Sequence, residues 1–277
     1  MTIRWATGLI LGLTGPAMAQ SSFDHAEFDH LLRYHVVRGM VDYDEFRMAP
    51  AFHRYLTGIA TFDPAGLPRD EQLAFWINAY NAYTIQLILK HDERQSIRNI
   101  NKTGGLIKGS GPWNEKLARV GGVNYSLDQI EQKIIRPLYR EPRIHFALVC
   151  AAMGCPPLRS EAYVGARLEA QLEDQGRIFL LESPAKNRVD VAGLTVWVSQ
   201  VFKFRDYQKD FGGSKEAVSR FIAHWYPAGP ERQLLEGGRW SRFDYTDYDW
   251  TLNSTERAKP MTGTADHSDR SRARADR

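Results

Sequence analysis

Phe75-Trp-Ile-Asn-Ala-Tyr-Asn-Ala82 is the stretch that decides the fold, and it sits inside the longest helical pattern of the chain, Pro68 to about His91. At 100° per residue, Leu73, Trp76, Tyr80 and Leu87 cover one side of this helix. Asn78 points the other way and shares its sector with Phe75, Ala82, Ile85 and Leu89; Glu71, two turns earlier, falls on the same line. A helix that is apolar nearly all round belongs inside a core. A buried amide or carboxylate there costs about 1–3 kcal/mol unless it is hydrogen-bonded. Asn78 is therefore either a structural tie or part of a site.

Working outward, Phe23 to Val37 reads as a first helix, with Phe28, Leu31, Leu32 and His35 at helical spacing. Ser126-Leu-Asp-Gln129 is a capping box that opens a helix over Asn124–Arg136, which Pro137 should stop. Gly121-Gly122 and Ala192-Gly193 each mark a hairpin turn. The apolar run Ile144–Val149 predicts a buried strand. Ser160 to Leu181 predicts a fourth helix, and Ser214 to Trp225 a last one ended by Pro227. Helices outweigh strands, so the expected fold is α+β: a single compact, mainly helical domain with a small sheet of hairpins and one buried strand.

Composition narrows the function. Hydrophobic residues make up 43% and charged residues 25%, ordinary for a folded chain and incompatible with wholesale disorder or a polytopic membrane protein. The 36 basic and 33 acidic residues are unevenly placed. One positive charge precedes residue 20, and six positives and four negatives follow residue 254, which leaves 29 of each sign over 20–254. No basic surface for nucleic acid is indicated. Residues 1–19 combine Arg4, a short apolar run and Ala17-Met18-Ala19, the pattern of a secretory signal peptide. The run is too short to span a bilayer, and no later segment is a candidate span. The mature chain is expected to begin at Gln20 and to be exported, into the periplasm if the source is Gram-negative. Residues 255–277 lack aromatics and read as a solvated, disordered tail, leaving 20–254 as the globular domain.

The second informative stretch is Arg143-Ile-His-Phe-Ala-Leu-Val-Cys-Ala-Ala-Met-Gly-Cys-Pro-Pro-Leu158, which holds both cysteines of the chain. On a regular strand His145 and Cys150 would lie about 16 Å apart on opposite faces. No Cys-x-x-Cys motif is present, which removes a thioredoxin-type motif. Two Cys and one His fall one ligand short of a closed zinc site, so no metal and no other cofactor is expected. Gly104-Gly-Leu-Ile-Lys-Gly-Ser-Gly111 matches no phosphate-binding pattern and reads as a loop. Serine-hydrolase and metalloprotease motifs are absent.

Together with Ser126-Leu-Asp-Gln-Ile-Glu131 and the closing Tyr248-Asp-Trp-Thr-Leu-Asn253, these two stretches resemble the domain of unknown function 547 family over roughly residues 70–253. Gln132 departs from the pattern, which often has His there. The resemblance singles out Trp76, Asn78, Tyr80, Asn81, Glu131, His145, Cys150 and Cys155, and it implies a fold without an established reaction.

Two readings of these residues follow. In the first, a non-catalytic binding or structural module, Cys150 and Cys155 form a disulfide. His145, Asn78 and Glu131 then make a buried network beside a groove for a peptide, cell-envelope or small-molecule ligand. Trp76, Tyr80 and Asn81 are its candidate binding residues, with Trp113 and Trp197 as core or groove wall. The alternative is a thiol-dependent hydrolase or acyl transferase acting on peptide-like bonds, with Cys155 or Cys150 as nucleophile, His145 as base, and Glu131 or Asn78 orienting the imidazole. The first is favoured, because paired cysteines of exported proteins usually oxidise and Ala151-Ala-Met-Gly154 can turn tightly enough to close the bridge.

Overall fold

The structure, a computed structural model, describes residues 22–101, 111–204 and 206–258. The expected signal peptide and nearly all of the Gly104–Gly111 loop and of the tail lie outside these residues; Thr255–Ala258 form a 3-10 turn.

The amino-terminal half is helical. Helix α1 (Ala26–His35) runs into a two-stranded hairpin of β1 (Val36–Val37) and β2 (Met40–Val41), followed by α2 (Tyr43–Met48) and α3 (Pro50–Thr61). Asp42 starts α2 by accepting a hydrogen bond from the Glu45 amide. The long helix α4 (Arg69–His91) passes through the middle of this half, and the whole run Leu73–Ile85 is buried, as its all-round apolar pattern requires. Its end is a left-handed residue, Asp92, with Lys90 and His91 in the last turn, where positive charge favours the helix dipole.

Strands β3 (Ala118–Val120) and β4 (Val123–Tyr125) pair across Gly121 and Gly122, both at positive φ, as the hairpin reading requires. The Ser126–Gln129 capping box is present and opens α5 (Leu127–Gln129). From there the backbone widens into a π-helical turn over Ile130–Ile135 and returns to α6 (Arg136–Tyr139). Pro137 does not stop the helix as expected. The Arg136 amide bonds back to the Glu131 carbonyl five residues earlier. The wider turn lets the chain pass a residue that has no N–H and would crowd the turn before it.

Two further expectations are corrected. Ile144–Val149 is no strand: Ile144–Ala147 form the short helix α7, whose last turn closes with Leu148 N–H on the Ile144 carbonyl at 2.9 Å. Helix α8 (Leu168–Leu181) starts well after Ser160. Residues 162–164 instead spend their backbone groups on side chains. Asn78 binds the Tyr163 backbone, and Gln171 binds the Ala162 carbonyl and the Val164 amide. An amide side chain replaces the helical partner, so no helix is needed there.

The carboxy-terminal part holds the hairpin of β5 (Arg188–Asp190) and β6 (Thr195–Val198), helices α9 (Tyr207–Asp210), α10 (Lys215–Ala223) and α11 (Pro230–Gly237), and β7 (Arg242–Tyr245), which pairs parallel to β6. The α+β class is as expected, built of helices with sheets of two and three strands and, among the described residues, no barrel. Its apolar interior has two parts, one around α4 and one around Phe146, Phe179, Phe202 and Phe211. Helix α7 supplies side chains to both, and Tyr248 packs against both. The site lies at this seam.

Candidate functional site

A cleft open to solvent is lined by Tyr80, Trp113, Asp128, Glu131, His145, Cys150, Cys155, Phe204, Tyr207, Tyr248 and Trp250, among others. Of the residues singled out in the sequence, it brings together Tyr80, Glu131, His145 and both cysteines. Trp76, Asn78 and Asn81 lie elsewhere. Trp76 is a core residue set edge-on to Tyr125 with ring centroids 5.8 Å apart.

The two asparagines on α4 are backbone clamps. Asn78 donates to the Tyr163 carbonyl at 2.7 Å and accepts from the Tyr163 amide at 2.9 Å. Asn81 donates to the Ala147 carbonyl at 2.9 Å and accepts from the Val149 amide at 3.0 Å. Each satisfies one donor and one acceptor that would otherwise be stranded in the core. Asn81 therefore holds, through backbone alone, the segment that carries His145 into Cys150.

His145 is almost fully enclosed. Its Nε2 lies 2.7 Å from Asp210 Oδ2, and with a carboxylate as partner that nitrogen carries the proton. Asp210, not Asn78 or Glu131, orients the imidazole. The Arg136 guanidinium grips the same carboxylate, with Nε at 2.6 Å from Oδ2 and the second contact at 3.0 Å. Burial works against ionisation of Asp210, but the hydrogen bonds from His145 and Arg136 prevail and hold its carboxyl well below the usual range. The Tyr207 ring covers the imidazole at 4.0 Å, and the Arg136 guanidinium lies over the Tyr207 ring at 5.1 Å.

Glu131 belongs to a neighbouring network. It accepts from the Tyr207 hydroxyl, from Tyr80 at 3.4 Å and from the Gln132 amide at 3.1 Å. Gln132, where the family pattern often has His, passes this network on by accepting from Arg136 at 2.5 Å. The π turn over Ile130–Ile135 carries Glu131 and Gln132 and leads directly into Arg136.

At the floor of the cleft Cys150 and Cys155 form a disulfide across Cα atoms 6.2 Å apart. The turn that closes it takes its left-handed residue at Ala151, φ 59°, and not at Gly154. Gly154 is required for a different reason: a Cβ there would lie 2.8 Å from the Tyr248 ring and 2.9 Å from the Asp249 amide nitrogen. The closing segment is thus laid directly on the cysteine turn. Met153 and Gly154 donate to the Thr251 and Asp249 carbonyls, both at 2.8 Å, and Ala152 bridges to Leu252. The Tyr248 hydroxyl comes within 3.1 Å of both sulfurs. Burial pushes its phenol up, so it stays a proton donor across the ordinary pH range. Among the described residues, no cluster of His, Cys, Asp and Glu could hold a metal ion.

Residues 64–180 match the family model described as a protein of unknown function, DUF547. The chain resembles this family. The DUF547-like stretch supplies Tyr80, Glu131, His145 and both cysteines, while Phe204, Tyr207, Asp210, Tyr248 and Trp250 come from chain beyond it. No curated protein and no solved structure matches the chain. Tyr248 and Trp250 had a signal in the closing motif. Asp210 and Tyr207 had none, because they sit on a single helical turn without periodicity.

Proposed function

We propose that this DUF547-like chain is an exported binding protein, periplasmic where the source is Gram-negative, whose aromatic cleft receives a small molecule or short peptide without hydrolysing it. The observation that carries this reading is the Cys150–Cys155 bridge at the cleft floor. A thiolate nucleophile needs a free sulfur and a base aimed at it. Here both sulfurs are spent on each other, and the proton-bearing Nε2 of His145 is committed to Asp210. What is left is a concave surface of aromatic rings with a few fixed polar groups, the usual make-up of a ligand pocket. Among the described residues, no helix is long and apolar enough to cross a membrane.

The test is a thiol count on denatured, unreduced protein recovered from the periplasm, together with its intact mass. Expected are no free thiol and a chain beginning at Gln20. A thermal-shift screen of short peptides and cell-wall peptide fragments should then give ligands whose stabilisation grows with concentration and is lost when Tyr207 is changed to Ala. Two free thiols, one alkylated rapidly by iodoacetamide near neutral pH, would establish a depressed thiol pKa and overturn this reading in favour of a Cys–His hydrolase.

A further inference from the structure

The two sulfurs of the bridge are not equivalent. Cys155 is 4% exposed, whereas Cys150 is only partly buried. The Tyr248 hydroxyl lies 3.1 Å from both sulfurs, but Cys155 Sγ also receives a backbone donor, the Cys150 amide at 2.9 Å. The Lys186 ammonium is fixed on the Cys155 carbonyl at 2.5 Å. In a resting disulfide the Cys150 amide and the Tyr248 hydroxyl face a weak acceptor in Cys155 Sγ and contribute little. If the bond opens and Cys155 carries the charge, each becomes a charge-assisted hydrogen bond, roughly twice as strong. Donors that strengthen only as charge develops lower a barrier without stabilising the starting state.

We propose that the Cys150–Cys155 bridge undergoes thiol–disulfide exchange with a thiol carried on a small molecule or short peptide in the cleft, Cys150 being the sulfur attacked and Cys155 the leaving thiolate. The inference rests on the cleft being the binding site. The incoming thiol gives its proton to solvent, and its thiolate sulfur bonds to Cys150 Sγ. The electron pair of the broken S–S bond stays on Cys155 Sγ, held by the Cys150 N–H and the Tyr248 O–H. A second thiolate attacking the sulfur of the bound thiol releases a small disulfide and leaves the protein as a dithiol, so two electrons have passed from two thiols to the bridge. A more acidic leaving thiol departs faster. The placement of donors thus sets the direction of opening, and the tight turn keeps Cys155 close enough to reverse it.

Glutathione is the probe, added in excess to the oxidised mature protein. The reaction is stopped with excess N-ethylmaleimide, which alkylates free thiols faster than the mixed disulfide rearranges, before peptide mapping. The expected product carries glutathione on Cys150 and the alkyl group on Cys155. The native bridge should open faster than the same bridge in urea. Tyr248→Phe keeps the ring on Gly154 but removes one donor, and should slow native opening about tenfold, the worth of one hydrogen bond to a charged group, without changing the rate in urea. Glutathione on Cys155, a native rate below the urea rate, or an unaltered Tyr248→Phe rate would each overturn the proposal. S-methylglutathione, which cannot exchange, separates this from the binding reading. If it raises the melting temperature while glutathione leaves the bridge closed, the cleft stands and the exchange falls. If exchange at Cys150 is fast with no such shift, the exchange stands as a surface reaction and its dependence on cleft binding falls.

Discussion

Replacing Asn81 by Leu tests whether a single side chain holds the cleft floor in place. Leu has the branched outline of Asn but a larger volume, so the change leaves no cavity and adds some overpacking to the loss of the two hydrogen bonds, a cost that the matched control below shares. It strands the Ala147 carbonyl and the Val149 amide, now paired at 2.9 and 3.0 Å, at a position only 3% exposed. Each stranded group costs about 1–3 kcal/mol, so together about 2–6 kcal/mol. For a chain of this size about 2–4 °C is lost per kcal/mol, which puts the fall in melting temperature on the order of 10 °C. Asn78→Leu is the matched control. It strands the amide and carbonyl of Tyr163 at similar burial and should cost the same, but it does not hold the segment leading into Cys150. Differential scanning fluorimetry reads both costs, and the rate of bridge opening by dithiothreitol reads the local effect. Both variants should melt early, and only Asn81→Leu should open more slowly, because only Asn81 holds the segment that places the Cys150 amide on the leaving sulfur. A melting temperature lowered by less than about 2 °C would refute the clamp, and equal opening rates would refute its link to the cleft.

Other consequences are open to direct measurement. His25 is buried against Tyr55, with Nδ1 2.7 Å from the hydroxyl, and burial lowers its pKa to about 4 although Asp24 and Asp29 pull it up. Its neutral form is the one that fits. The stability this gives is complete above about pH 6.5 and is lost as the pH falls through about 4, a loss on the order of 3 kcal/mol. Urea midpoints measured from pH 7 to pH 4 should fall accordingly and flatten in His25→Phe; an equal slope in the variant would acquit His25. Gly154→Ala drives a methyl into the Tyr248 ring and should cost about 1–3 kcal/mol and expose Trp250 to collisional quenchers. Gly66→Ala, where a Cβ meets nothing within 4 Å, is the control. Reducing the bridge should lower stability by only about 2 kcal/mol, because so short a loop removes little chain entropy; a collapse of the fold on reduction would contradict this.

What could be read from the sequence was whatever repeats along the chain. The all-round apolar pattern of α4, the Ser126 capping box and the Gly121-Gly122 turn are local signals, and each produces its element. Ile144–Val149 misled because a short apolar run looks the same in a buried helical turn as in a strand. Asn81, from another element, supplied the partner that a neighbouring strand would have given. Ser160–Val164 misled for a like reason, with Asn78 and Gln171 taking its backbone groups. In the site, His145, Glu131 and the cysteines were legible because they fall in motif stretches. Asp210 was not, since its meaning comes from a histidine 65 positions earlier in the chain.

The closing segment also sets an order of events. Asn253 accepts from Tyr43 at 2.7 Å, donates to the Gly39 carbonyl at 2.9 Å and offers its own carbonyl to Val41 at 2.8 Å. These partners are made more than two hundred residues before it. The cysteine turn, by contrast, closes over a separation of five. If the chain is exported as proposed and meets an oxidant amino terminus first, both sulfurs arrive before residues 248–253, which cover the cysteine turn. On that order the bridge would be an early and local event and the cleft around it a late one, and a chain cut short before Tyr248 would carry the cysteine turn with no wall over it.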